Sequence, residues 1–466
     1  MELSISKNAN PNYLAKIVKI SDFKPHPNAD RLKLAVVDGC VISTSIDAQP
    51  GIFIYFPLEC QINQEYLSKN NLFRDSTLNS DSEKKGFFEE NRRVRCIKFR
   101  GLASEGLIMP LSSLYNFIDG KDIMAIDDNV INQEFDTVDN ILLVKKYIPK
   151  CNKLNNSESN SKSRNREQKY EELIVEDQFR FHITTEQLKK NIDKVNLDDV
   201  IQITHKFHGT SGIFCNLLVK RRLSWYQKIM KLFGADIVNT EYKKFCSSRK
   251  VIKDPVLNKG LQQGYYNIDI WNLALDVLKP YLDSSMTIYA EIVGYLPNGT
   301  MIQKDYTYGC EYKPEVYEYS KMTPQQMYDK NLFKIYIYRI TYTNIDGKVF
   351  EMSARNLQQY CKEKGLVSVI EDYYGTVDQF LDCNGVKSID LAFSGRDWKD
   401  LFIELLSSKY LEKPCIYNNN TVPAEGIVLR IDKPKFEAYK LKSLAFYSRE
   451  TALLDKGEID IETKES

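Results

Sequence analysis

Between Asn152 and Arg166 the chain is built from Asn, Ser, Lys, Arg and Glu, and Leu154 is its one apolar side chain. Such a composition cannot bury enough surface to offset the entropy of ordering. A stretch of this kind does not run through a packed core, so it divides the 466 residues into separate folding units. We read residues 1–150 as one unit, 151–169 as a flexible linker, 170–446 as a second unit and 447–466 as a frayed polar tail.

The first unit reads as short β-runs separated by turns. Leu32 to Val37 leads into an Asp38-Gly39 turn, and Gly51 to Pro57 is a second apolar run. Many short strands suggest a small barrel. The second unit mixes β-branched strands with amphipathic helices. In one of these helices Ser353 is the N-cap, Leu357, Tyr360 and Cys361 share a face, and Gly365 stops the last turn.

Lys plus Arg number 64 against 63 Asp plus Glu, which excludes a polycation that holds nucleic acid by net charge; any polyanion site must be local. Ten scattered cysteines without a C-x-x-C pair, and only four histidines, indicate neither a disulfide framework nor a zinc site. Without an apolar leader or a long apolar run, an intracellular protein, cytoplasmic or nuclear and away from membranes, is expected.

Five segments of the second unit carry chemistry. In Ile203-Thr204-His205-Lys206-Phe207-His208-Gly209-Thr210-Ser211-Gly212 a strand delivers a lysine just before a glycine turn. A lysine attacks phosphorus only as the free amine, which its neighbours must favour. Met286 to Gly294 sets Glu291 in an apolar strand, where a carboxylate needs a ligand hydroxyl, a metal or an arginine. In Lys334 to Ile340 the pleat sends Tyr336 and Tyr338 to one side, fit for stacking a purine or for core packing. Glu425-Gly426 precedes a β-branched strand. Lys440 and Lys442, two apart, aim two ammonium groups the same way, toward an anion such as a triphosphate or toward solvent at an edge strand.

Taken in order, Lys206-Phe-His-Gly, Glu291 in E-I-V-G, Glu425-Gly-Ile-Val and Lys440-Leu-Lys442 resemble the motifs of covalent nucleotidyltransferases. The His-Gly-Thr-Ser continuation is similar to RNA ligases rather than to DNA ligases or capping enzymes. Pro25 to Lys33 with Val37-Asp38-Gly39, and Arg100 to Ile108, resemble OB-fold tRNA-binding modules. An OB-fold unit before the transferase unit resembles the ATP-dependent RNA ligases of the Deinococcus and Naegleria type.

That resemblance implies an α+β chain: an ATP-grasp-like nucleotidyltransferase domain of antiparallel sheets with helices, preceded by an OB-fold β-barrel. It makes Lys206 the AMP acceptor, with Glu291 on the ribose, Tyr338 or else Tyr336 stacked on adenine, and Lys440 and Lys442 on phosphates. Glu425 would support the metal and the lysine, with Glu291 a second carboxylate for the ion, and Arg249 would touch phosphate. Gly209 and His208 would line the nucleotide site, and His208 could orient a phosphate or simply stabilise the turn. ATP with Mg²⁺ or Mn²⁺ and an RNA carrying nicked or broken ends, possibly hybridised to DNA, are implied, with a monomer expected. A DNA ligase, a GTP-dependent capping enzyme and a non-catalytic RNA-binding protein are the alternatives.

Two basic stretches could grip phosphates: Arg92, Arg93, Arg95, Lys98 and Arg100, and Lys220 to Lys231 around Trp225 and Tyr226. For the second, the competing expectation is a helix anchored on the core by Trp225, Ile229 and Phe233. The remaining histidines and cysteines read as structural.

Overall fold

The protein is described from a computed structural model at residues 2–118, 130–149, 173–221, 223–253, 268–386 and 397–457. The expected linker therefore lies outside the described residues. The chain is α+β, with mostly antiparallel sheets and flanking helices.

Before residue 150 the chain forms short strands separated by turns, among them β1 (Ala15–Ile20), β2 (Leu32–Val37), β3 (Cys40–Ser45), β4 (Gly51–Pro57) and β5 (Gly106–Pro110). β2 and β3 form a hairpin through Asp38 and Gly39, both at positive φ, while β5, β4, β1 and Glu134–Phe135 make a four-stranded sheet. Among the described residues no sheet closes on itself.

Two larger sheets follow, built from β6 (Val200–His205), β7 (Thr210–Lys220), β8 (Thr240–Ser247), β9 (Met286–Gly294), β10 (Phe333–Thr343), β11 (Val349–Glu351), β12 (Glu371–Thr376), β13 (Gly426–Ile431), β14 (Glu437–Lys442) and two short edge strands. One sheet runs β8-β7-β9-β10-β11 with Ile252–Lys253 at its edge. The other runs Glu186–Gln187, β14, β13, β6, β12. The chain passes from one sheet to the other between His205 and Thr210, so Lys206 stands at the join.

The longer helices of this part are α1 (Trp225–Leu232), α2 (Ile270–Leu278), α3 (Ala354–Lys364), α4 (Val377–Cys383), α5 (Trp398–Tyr410) and α6 (Leu444–Asp455), beside short ones at Leu188–Asn191 and Pro324–Asp329. α2 and α3 cover the outer face of the first sheet through Trp271, Leu275, Leu278, Leu357 and Cys361. α4 and α5 cover the second through Phe380, Leu381, Phe402 and Leu406. Each such side chain contributes about 1.5–3 kcal/mol by leaving water, which fixes the sheets as rigid walls. A third cluster, with Phe207, Val293, Tyr306, Tyr308, Tyr336 and Phe446, fills the space between them. The expected caps of α3 are present: Ser353 accepts from Asn356 N, and Gly365 takes φ +66°.

Two expectations change. The chain after Phe446 does not fray at once, because α6 continues to Asp455. Within the stretch from Arg92 to Arg100, two cations are not free to grip phosphate: Arg93, 2 % exposed, bonds Glu59 (3.2 Å) and Asp455 (2.7 Å) as well as the Thr451 carbonyl, and Arg95 also meets Asp455, whereas Lys98 and Arg100 are exposed. Cations this deeply placed are held by acids from distant sequence.

Candidate active site

β6 ends at His205, and the Lys206 N–H donates to the Gly426 carbonyl (3.0 Å), so the lysine continues alongside β13. Its Nζ lies 2.9 Å from Glu425 Oε1, and Lys442 Nζ meets the same oxygen at 3.0 Å. Burial alone would raise the Glu425 pKa, but Lys206 and Lys442 outweigh it and hold the carboxyl at about 2. Glu425 Oε2 is buried without a hydrogen-bond partner, and His208 Nδ1 stands 3.9 Å away. His208 packs edge-on against Tyr306 and Phe446.

The turn after the lysine is held from several sides. His208 N donates to the Tyr308 hydroxyl (2.7 Å), Gln303 Nε2 to the Gly209 carbonyl (2.9 Å), and Gly209 N to Glu291 Oε1 (2.9 Å). Trp271 Nε1 donates to the Ser211 carbonyl. A Cβ on Gly209 would stand 2.3 Å from the Ile292 carbonyl oxygen and 2.7 Å from Val293, so backbone must move to admit it. Gly209→Ala is expected to cost about 1–3 kcal/mol, as overpacking does, and to disturb Lys206; unchanged urea unfolding would refute the tight approach.

Six of the expected residues line one cavity: Lys206, Arg249, Glu291, Tyr338, Lys440 and Lys442. Glu425 lies beneath two of them, while His208 and Gly209 shape the turn behind. The tyrosines divide: Tyr338 lines the cavity with its hydroxyl 3.1 Å from Ser211 Oγ, whereas Tyr336 stacks on Phe207 with ring centres 3.9 Å apart. Lys440 and Lys442 lie on one side of β14 yet differ. Burial and the cations around Lys440 push its pKa well down, whereas the pull of Glu450 and Glu425 on Lys442 outweighs its burial and pushes it well up. Arg339, next after Tyr338 along β10, is neutralised by two-pronged bonds to Glu351.

Burial raises the Glu291 pKa to about 7, against the pull of Lys206 and with the push of Glu425. The folded protein thus holds this proton more tightly than the unfolded chain does. The cost of ionising it in place grows as pH rises from 4.5 to about 7. Glu291→Gln keeps an acceptor for Gly209, and it is expected to melt higher than the parent above about pH 7 while matching it near 4.5. Calorimetry at both ends of that range checks the sign.

Several cavity residues were not singled out by sequence. His182, read as structural, lines the wall edge-on to Tyr338, with Nδ1 buried and unpartnered; burial and nearby cations press its pKa down to about 3. His205 also lines the cavity and reaches Asp372 at 3.2 Å. Tyr13, Glu59, Glu105 and Tyr147 reach it from turns and loops of the N-terminal part, tied across by Lys189–Glu105 (2.7 Å) and by Gln187 N to Asn12 Oδ1 (3.0 Å).

Among the described residues no group of three or more His, Cys, Asp or Glu is gathered for a metal. A pair of carboxylates with one open oxygen still fits a hard divalent ion that takes its other ligands from phosphates and water. No helix of the described residues is long and apolar enough to cross a membrane.

No protein-family model and no curated protein matches the chain. Solved structures do. A mutant of the Naegleria gruberi RNA ligase with AMP and Mn is 14% identical, covering 94% of this chain and 98% of its own at a TM-score of 0.50. A second mutant with AMP and Mn (13% identity, TM-score 0.51) and one with ATP and Mn (14%, 0.50) give the same coverage. Over nearly its whole length, the chain has the fold of the Naegleria RNA ligase.

Proposed function

We propose that this chain is an ATP-dependent RNA ligase that carries AMP on Lys206 while it joins a 5′-phosphate to a 3′-hydroxyl. The carrying observation is that the Lys206 amine and Lys442 share one buried carboxylate, beside a cavity lined by Arg249, Glu291, Tyr338 and Lys440. That set has a nucleophile, cations for a polyphosphate, an aromatic ring for a base and a carboxylate for a ribose. The neighbouring ligase, solved with ATP and Mn and with AMP and Mn, supports the same reading.

In the first step the free amine of Lys206 attacks the α-phosphorus of ATP. A P–N bond forms, the bond to the β-phosphate oxygen breaks, and pyrophosphate leaves with the electron pair. Arg249, Lys440 and Lys442 face the charge that spreads over the phosphate oxygens, and a preorganised cation there lowers the barrier without reorganising. Adenylate then passes to the RNA 5′-phosphate, restoring the amine, and the 3′-hydroxyl displaces AMP. Glu425 and Glu291 would hold Mg²⁺ or Mn²⁺, which supplies further charge neutralisation on phosphate oxygens. Tyr338 rather than Tyr336 would stack on adenine, because Tyr336 is already spent on Phe207.

We assign residues 1–150 to an OB-type RNA-binding module, 151–169 to a linker, 170–455 to the adenylyltransferase unit, α6 included, and the residues after it to a tail. The experiment is incubation with α-labelled ATP or GTP and a divalent metal, followed by denaturing electrophoresis. Label retained from ATP supports the ligase. Label from GTP alone would make it a capping-type enzyme, and none from either a non-catalytic RNA-binding protein. Nicked duplexes with ribose or deoxyribose on either side of the break then assign the substrate, and equal sealing of all-DNA nicks would overturn the RNA preference.

A further inference from the structure

α1 stands apart from everything above. None of its residues is buried. Trp225 is 76 % exposed, Leu232 86 % and the following Phe233 83 %, and Tyr226, Ile229 and Met230 are exposed too. At about 100° per residue these six side chains fall within roughly 160° of arc, and Gln227, Lys228 and Lys231 fill the opposite side. The expectation that Trp225, Ile229 and Phe233 anchor the helix on the core is therefore overturned: the apolar face points to solvent.

The helix sits at the tip of the β7–β8 hairpin. Past Cys215 these two strands continue without β9, pairing out to Lys220 and Thr240. From Lys220 to Ala235 the sequence has five cations and no acid. A nucleic acid would be met by the cations but would gain little from Ile229, Met230 and Leu232. A surface with an apolar interior and an anionic rim satisfies both halves at once, because lysine stems lie along the boundary while their ammonium groups reach out.

We propose that α1 is an interfacial anchor that lays its apolar face into an anionic lipid bilayer, with Lys228 and Lys231 at the headgroups. β7 runs eleven residues from the turn beside Lys206 to this tip; at about 3.3 Å per residue the candidate active site stays roughly 35 Å from the lipid, open to substrate.

The full chain is mixed with vesicles of phosphatidylcholine alone or with phosphatidylserine, and followed by co-sedimentation and tryptophan emission. Trp271 is buried, so a blue shift that disappears in Trp225→Phe reports on the helix. Binding is expected for the anionic vesicles only, weakened by salt. It should fall by at least about tenfold in Lys228→Glu/Lys231→Glu, given the attraction per cation near such a surface, and likewise in Leu232→Glu/Phe233→Glu. Absence of both sedimentation and blue shift in the unaltered protein overturns the proposal without recourse to variants. So does undiminished binding in well-folded Leu232→Glu/Phe233→Glu, or a Trp225 shift produced by duplex RNA or by self-association while vesicles produce none.

Discussion

Lys206→Ala is expected to lower covalent labelling from α-labelled ATP by at least about a thousandfold, since the proposed mechanism places AMP on this amine. Lys206→Arg sharpens the test. A guanidinium can keep the ion pair with Glu425, so the fold should be retained, yet it is not a nucleophile at phosphorus. A loss of label in both variants, with melting preserved in Lys206→Arg, separates chemistry from architecture. If Lys206→Ala retains label at parental levels, the covalent attachment is elsewhere and the proposed role of position 206 is wrong. Sealing of an RNA supplied already adenylated at its 5′ end gives a second check, because that step needs no lysyl adduct. It should survive in Lys206→Arg far better than sealing that starts from ATP.

Glu425→Ala is expected to produce the largest combined loss. The carboxylate, 2 % exposed, is the shared partner of Lys206 and Lys442. Its removal leaves two ammonium groups facing one another around a small void, and breaking a buried pair costs about 3–5 kcal/mol, moderated here because both lysines retain some solvent contact. Labelling should vanish with it. Glu425→Gln keeps the shape and removes the charge, and it gives the pH test. The folded-state pKa of Glu425, about 2, lies below the ordinary 4.5, so its stabilisation is present above 4.5 and fades as pH falls from there toward 2. The parent's margin over Glu425→Gln in urea unfolding should therefore shrink across that window. A constant margin would mean that the carboxylate's charge contributes nothing to the fold.

Much of the strand framework was legible because short apolar, β-branched or aromatic runs bounded by turn residues need few positions to declare themselves. Met286–Gly294 and Gly51–Pro57 match their strands end to end. The convergence of Lys206, Glu291, Lys440 and Lys442 on one cavity was legible for a different reason: taken one by one their segments allowed ordinary structural roles, and it was their order along the chain, through the resemblance to nucleotidyltransferase motifs, that joined them. His182 carried no such signal, since a histidine among Phe181 and Ile183 looks like any half-buried ring. Tyr13 and Glu59 were unreadable because their relation to the cavity spans hundreds of residues. Arg93 was misread as a surface cation for the same cause, since one of its two acids, Asp455, lies on α6. The periodicity of α1 shows that an apolar face exists but says nothing about what covers it, so the anchoring expectation failed on tertiary context alone.

Arg93 has one more consequence, which concerns the order in which the molecule can be made. A ribosome delivers this arginine 362 residues before Asp455. Until then Glu59 is the one acid of its final trio available to it. The early β-strands can therefore fold as they emerge, but the socket that fastens them to the rest of the molecule closes only when translation has reached α6. In chains nicked by protease between the two halves, the halves should separate when synthesis stops short of Asp455 and stay associated when it has passed it.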